Sequence, residues 1–352
     1  MRVGCDVGRA RTKVAVREER VMFDSIIGAR STTTFTGIAD KAFSLNGSTS
    51  VVVEHPRFGE LEYEVGENAL AHSATTWAPR HREQLEQDVL VLLSYGLREL
   101  QVFGSLDLCI GTPAAFYDAQ KGVLEDLFTQ AWFVDGHEVI VSSAIVLPQP
   151  VGTAWGLAVD IVGKPRPGAK AFFGKKVGIL DVGEYSTDAI VLDNMRYQAN
   201  RVVTIEYGCG KVAEVVAAYL TSQGYPRLPH QVGQAILDRE LAGIDLEDVI
   251  EEAVSDGIRA ILSEVGARWD DMPEYSRIVV TGGGAYLFGQ RIKQVWNKVE
   301  IAALPEWANV QGYLAFLMFL DRFQCSESDS GGCNIGLGGL ASQRDQLSML
   351  RI

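Results

Sequence analysis

Two stretches of the chain repeat one pattern of apolar and polar positions. The first runs Val3-Gly4-Cys5-Asp6-Val7-Gly8 and resumes at Thr12-Lys13-Val14-Ala15-Val16. The second runs Gly178-Ile179-Leu180-Asp181-Val182-Gly183 and resumes at Thr187-Asp188-Ala189-Ile190-Val191. Each predicts an apolar strand, a D-x-G turn and a return strand. They lie about half the chain apart, which an internal duplication of one α/β unit explains. Between them, the spacing of Leu85, Val89, Leu92 and Leu100 predicts a helix over 82–103. A strand over 106–110 ends at Gly111-Thr112-Pro113, and 116–131 is helical. After a strand over 138–147, Pro148-Gln149-Pro150 breaks the chain before a helix over 151–159. Pro165 and Pro167 mark 164–176 as a loop or linker.

The second half continues with helices over 211–222 and 246–265, separated by a proline-rich loop at 225–229. A strand over 277–281 runs into Gly282-Gly283-Gly284, and 308–323 forms a last helix. Ser, Gly and Asp dominate 326–339, predicting a flexible stretch, and 340–352 has no assigned role.

Composition narrows the classes. The 352 residues are 47% hydrophobic, enough for two packed domains, and carry a net charge of −13. An acidic chain is repelled by nucleic acid and by anionic lipid, so direct binding to DNA or to a membrane is not expected. The cysteines Cys5, Cys109, Cys209, Cys325 and Cys333 are odd in number and contain no C-x-x-C pair. That argues against a disulfide framework or zinc site and fits a reducing cytoplasm. The start of the chain has no basic-then-apolar leader pattern, and the apolar run 314–320 is too short to span a bilayer.

The turns carry the candidate chemistry. At a strand's end, the backbone N–H groups of a glycine turn form a nest for phosphate oxygens, and Gly8 and Gly183 permit the tight geometry. Asp6 and Asp181 are the expected holders of Mg²⁺, through its waters, with the ion bridging the phosphates. One such turn alone reads as an ordinary β-turn; two in the same setting point to a nucleotide site. Thr12 and Lys13 follow the first turn. Lys13 is expected to reach a phosphate, its alternative being an exposed strand-edge lysine. Glu184, Tyr185 and Ser186 complete the second turn and make it bulky and acidic. Gly282, Gly283 and Gly284 offer bare backbone to a flat ring or sugar, or else form a flexible loop. Gly208-Cys209-Gly210-Lys211 fits a dinucleotide-binding pattern but arrives too late in the chain and lacks a downstream acid at a strand end. Gly208, Gly210 and Lys211 are therefore expected at a helix N-terminus facing phosphate. Gln149 either orients an attacking water or serves as a polar loop cap.

In this order the segments resemble the superfamily of actin, the sugar kinases and the heat-shock chaperone ATPases. Its two phosphate motifs resemble 6–13 and 181–188, and its adenosine motif Thr281-Gly282-Gly283-Gly284-Ala285. Its connecting segments resemble 148–156 and Trp307-Ala308-Asn309-Val310-Gln311-Gly312-Tyr313. The last run, with Tyr63-Glu64-Val65-Gly66-Glu67-Asn68-Ala69 and Ile110-Gly111-Thr112-Pro113, is most similar to the ParM-type plasmid-segregation actins.

The resemblance implies an α/β, actin-like fold with two RNase-H-like domains flanking a nucleotide cleft. Domain I would cover 1–160 with the last helix 305–325, domain II 161–304, and 326–352 would be a tail. It implies an ATPase that uses ATP, with GTP as the alternative, and Mg²⁺. Gln149 and Asp181 would be catalytic. Subunits would stack head to tail into filaments that move plasmids through a DNA-bound adaptor protein. A carbohydrate or acetate kinase of the same superfamily, or a non-polymerising adaptor ATPase, are the alternatives. No carboxylate stands out as a kinase base.

Overall fold

The duplication is visible in the strand order of two sheets. The computed structural model describes residues 1–30, 50–78 and 85–328. By contacts the chain divides into 2 compact units, one of 1–112 with 116–147 and one of 113–115 with 148–352.

In the first unit the strands are β1 (Arg2–Val7), β2 (Arg11–Ala15), β3 (Arg20–Asp24), β4 (Ile27–Arg30), β5 (Ser50–His55), β6 (Gly59–Val65), β7 (Ser73–Trp77), β8 (Gly104–Thr112), β9 (Trp132–Val134) and β10 (His137–Pro148). The helices are α1 (Glu67–His72), α2 (Leu85–Glu99) and α3 (Tyr117–Leu127). The sheet order is β3-β2-β1-β8-β10-β9-β5-β6-β4-β7. β1 pairs antiparallel with β2 and parallel with β8, so Asp6 lies opposite Lys13 on one side and Gly111 on the other. The apolar stripe of α2 is buried as its spacing predicts, but the helix stops at Glu99, short of 103. Gln101 and Gly104 take left-handed backbone there, and the Val102 N–H turns back to the Leu97 carbonyl. α3 likewise ends at Leu127, before 131, where the chain turns into β9.

In the second unit the order is β13-β12-β11-β17-β18: as in the first, a three-strand antiparallel meander whose central-sheet strand pairs parallel with the next, here β11 with β17, and β17 pairs parallel with β18. Its strands are β11 (Lys176–Val182), β12 (Thr187–Asp193), β13 (Arg196–Tyr197), β14 (Val203–Ile205), β15 (Glu240–Leu241), β16 (Ile244–Asp245), β17 (Arg277–Thr281) and β18 (Val299–Ile301). Its helices are α4 (Gln149–Ala158), α5 (Cys209–Ser222), α6 (Gly233–Asp238), α7 (Glu247–Arg268), α8 (Ala285–Val295) and α9 (Ala308–Ser328). One face of the sheet buries Leu180, Val182, Ala189 and Val191 with residues of α5, α7 and α8. Trp269 closes that core over Gly178, where a Cβ would lie 2.5 Å from the indole ring. The stretch expected as a loop or linker, 164–176, is a loop up to the start of β11 with one short helical turn, and it is anchored: Phe172 is buried, with the Arg277 guanidinium 4.9 Å above its ring.

α4 and α9 cross backbone to backbone. A Cβ on Gly312 would lie 1.6 Å from the Gly152 carbonyl oxygen, and one on Gly152 would strike Tyr313. Both helices group with the second compact unit, which takes up at 148. Pro148-Gln149-Pro150 does not interrupt the chain: β10 runs to Pro148 and α4 starts at Gln149, with Pro150 in its first turn, where its missing N–H costs nothing. α9 continues to Ser328; the remainder of the expected tail, 329–352, lies outside the described residues.

Candidate functional site

Each unit presents one D-x-G turn, closed in the same way. The Gly8 N–H donates to the Arg11 carbonyl at 3.1 Å, and the Gly183 N–H to the Ser186 carbonyl at 2.9 Å. A buried threonine opens each return strand. Thr12 hydrogen-bonds Ser25 at 2.8 Å, and Ser25 Oγ donates to the Gly8 carbonyl at 2.6 Å. Thr187 donates to the Tyr207 carbonyl at 2.7 Å, just ahead of Gly208. Thr12 therefore braces the turn from beneath through a hydroxyl pair. Ser25 is the residue that sequence reasoning missed here, since it comes from a loop distant in the pattern.

In the first turn, Asp6 is 4% exposed and its Oδ2 receives Lys13 Nζ at 3.1 Å. Its Oδ1 is buried without a hydrogen-bond partner among the described residues. A buried carboxylate oxygen left unpaired is costly, and a hard cation or its water is the partner such an oxygen takes. The residues thus fit Mg²⁺ held largely by phosphate and water. Among the described residues no group of three His, Cys, Asp or Glu side chains gathers to hold a metal alone. Lys13, expected at a phosphate, is paired here with Asp6.

In the second turn the position opposite the aspartate holds no lysine. Asp188 is the register partner of Asp181, and it receives Thr204 Oγ1 at 2.6 Å. Asp181 Oδ2 instead receives Asn309 Nδ2 at 2.6 Å, from the first turn of α9. Asn309 Oδ1 receives Thr153 Oγ1 from α4 at 2.7 Å, and Thr153 lies 3.1 Å from Thr281 Oγ1 at the end of β17. Gln149 opens α4 one turn before Thr153, on the same helix face, and its carbonyl receives the Tyr313 hydroxyl at 3.1 Å.

The glycines divide by use. Gly282 has φ +83°, and a Cβ there would meet Asp181 Oδ1 at 2.2 Å. The Gly284 N–H donates to the Val182 carbonyl at 2.8 Å. Gly283 alone faces open space, so it is the member of the run free to approach a ligand.

Gly208 and Gly210 lie at the α5 N-terminus, as expected, against the second turn. The Cys209 and Gly210 N–H groups donate to the Gly183 and Glu184 carbonyls at 3.0 and 2.8 Å. A Cβ on Gly208 would lie 2.4 Å from the Gly183 carbonyl oxygen. Glu184 folds back, with Oε2 3.0 Å from Cys209 Sγ, and sets its carboxylate at the α5 N-terminus, where the helix dipole favours an anion. The helix end is therefore docked onto the second turn, and its nearest anion is this chain's own Glu184. Lys211 points outward and pairs with Glu214 at 2.7 Å, and Tyr185 stands exposed at the tip of the turn.

The family model for actin-like protein N-terminal domains matches residues 4–152, and the model for the C-terminal part of MreB-like archaeal actin homologues matches 179–294. No curated protein sequence matches the chain. Solved structures with the same fold include a 15-stranded ParM filament from Clostridium botulinum, 20% identical over 90% of this chain and 98% of that one, at a TM-score of 0.65. An archaeal actin homologue in complex with ADP is 18% identical over 89% and 97% of the two chains, with a TM-score of 0.66. The apo psk41 ParM protein is 18% identical over 92% and 98%, with a TM-score of 0.69.

Proposed function

We propose that this chain, two parts of which match family models of actin-like proteins, binds ATP with Mg²⁺ at its two D-x-G turns, hydrolyses it, and assembles head to tail into filaments while the triphosphate is intact. The observation that carries this is Asp6, a buried carboxylate at a glycine turn with one oxygen on a lysine and the other lacking a partner. The ADP complex of the archaeal homologue and the ParM filament support nucleotide binding and self-association as the family's habits.

Asp6 and Asp181 would hold the ion, which would supply charge neutralisation for the triphosphate. Lys13 leaves Asp6 for a phosphate oxygen. Gly8 and Gly183 give the backbone nest, with Tyr185 and Ser186 shaping the second turn. Gly283 seats the base or sugar, and Lys211 lies beyond that seat. Gln149 positions the attacking water, since phosphoryl transfer needs placement more than proton removal. GTP is the competing nucleotide. With a net charge of −13, the protein reaches any DNA cargo in the cytoplasm through a basic adaptor rather than directly.

Sedimentation and negative-stain microscopy at micromolar protein, with Mg²⁺ and ATP, GTP, a non-hydrolysable analogue or ADP, test the proposal. Filaments are expected with triphosphate and analogue, and loss of them as phosphate is released. Protein that stays monomeric in every nucleotide across a range of salt, or that transfers phosphate to a sugar or acetate, contradicts it.

A further inference from the structure

Two exposed patches, one on each unit, set opposite charge around the same kind of apolar centre. On the first unit, Trp132 and Val134 of β9 are buried toward α2, and Trp132 Nε1 donates to Ser94 Oγ at 3.1 Å. Phe133 between them therefore faces outward and is 40% exposed. Its register partners are Glu54 on β5 and Glu138 on β10, and Ile140, two residues further along β10, is 41% exposed. Glu60, opposite Glu54 on β6, is exposed as well. No lysine or arginine stands at the outward positions of β5, β9 or β10. The guanidinium groups of Arg57 and Arg98 nearby are paired with Glu86 and Glu99 of α2.

On the second unit, the turn after α4 leaves Ile161 and Val162 49% and 36% exposed. Asp160 Oδ1 receives the Val162 and Lys164 N–H groups at 3.0 and 2.8 Å. Gly163 has φ +76°, and a Cβ there would lie 2.4 Å from the Met318 carbonyl oxygen of α9. The turn is thus held against α9 with its apolar tips outward. Beyond it, 164–176 contains no Asp or Glu, and Lys164, Arg166, Lys170 and Lys175 are exposed.

We propose that these patches meet between copies of this chain: the acidic sheet face of one subunit docks the basic turn and loop of the next. The inference rests on the head-to-tail assembly proposed above. Such a contact joins two different surfaces of the same chain. Subunits that each carry −13 repel, so a contact between them needs a local region of opposed sign. Phe133 and Ile140 cover Ile161 and Val162 at the dry centre, and the glutamates and lysines form the rim.

Charge reversal tests this. One variant carries Glu54→Lys and Glu138→Lys, the other Lys164→Glu and Lys170→Glu. Arg166 is left alone, because its Nε holds the Gly156 and Val159 carbonyls at 2.9 and 3.0 Å. In sedimentation with Mg²⁺ and a non-hydrolysable ATP analogue, each variant alone should need about tenfold or more protein to assemble. Nucleotide affinity by calorimetry should stay as in wild type, since no changed residue belongs to the D-x-G turns. An equimolar mixture should assemble again, because each reversed patch then meets its opposite on the other variant. Wild-type assembly by either variant alone overturns the inference and leaves the filament reading standing. So does a mixture that fails to recover although both variants bind nucleotide normally. Normal assembly by the loop variant, with loss of a wild-type binding to anionic vesicles, gives the loop a different occupant and also overturns it. Wild type that assembles in no nucleotide overturns both.

Discussion

The two turns share a backbone and differ in what holds their aspartates. Asp6 is countered by Lys13 and keeps one oxygen unmatched. Asp181 is held by an amide, walled by Gly282, and its turn is docked on the α5 N-terminus through Gly208, Gly210 and Glu184. The first turn is thus a charge pair that a phosphate and a cation can take apart. The second is built before any ligand arrives. The two turns share a geometry, supported by a charge pair in the first and by packing and hydrogen bonding in the second.

The most damaging change to the second turn should be Gly312→Val. Its Cβ has no room against the Gly152 carbonyl, so α9 must leave α4 and Asn309 must leave Asp181. A loss of about 3 kcal/mol or more is expected. Thermal unfolding of the purified variant should show it, and a melting temperature within a degree or so of wild type would refute the helix crossing.

Gly208→Ala attacks the docking itself. The added methyl has to displace the Gly183 carbonyl, so ATP affinity should fall about tenfold or more with a smaller drop in melting temperature. Unchanged affinity by calorimetry would show that the α5 contact does not shape the site.

Gln149→Ala leaves both turns as they are. It should slow phosphate release by about tenfold with nucleotide binding nearly intact. Hydrolysis at the wild-type rate would reduce Gln149 to a helix-start residue.

The smallest expected effect lies at the far end of β11, where Lys176 and Arg201 meet Asp271 at 2.5 and 2.6 Å. Burial raises the Asp271 carboxyl, but hydrogen bonds from Lys176 and Tyr275 and the two cationic charges outweigh it, and the group sits below its ordinary 3.8. A depressed folded value means stability present above that ordinary value and lost as the pH falls through the lowered one. Asp271→Asn should lower stability slightly at neutral pH, flatten the acid limb of the profile and converge with wild type in acid. An acid limb identical to wild type would remove this contribution.

Much of this was legible in the sequence because it is periodic or local. Apolar runs before Gly8 and Gly183 located both turns, and the glycine run after Thr281 located the β17 end. What escaped depends on distant partners. Nothing around Asn309 signals that its amide reaches Asp181, and Ser25 reads as an ordinary loop serine. Gly208 and Gly210 match a phosphate-binding pattern, yet here their missing side chains let α5 approach the turn. The short α6 and the β15–β16 hairpin went unread because each is too short to establish a period. That two glycines let α4 and α9 touch is likewise announced by no composition shift.

Calorimetric titration of ATP into wild type and Asp6→Ala, each with and without Mg²⁺, tests the central claim most directly. Wild type should bind more tightly when Mg²⁺ is present. Asp6→Ala should lose about tenfold or more of that affinity together with most of its dependence on Mg²⁺, because the orphaned oxygen that anchors the ion is gone. Equal affinity and equal Mg²⁺ dependence in the two proteins would contradict a nucleotide–metal site at the first turn.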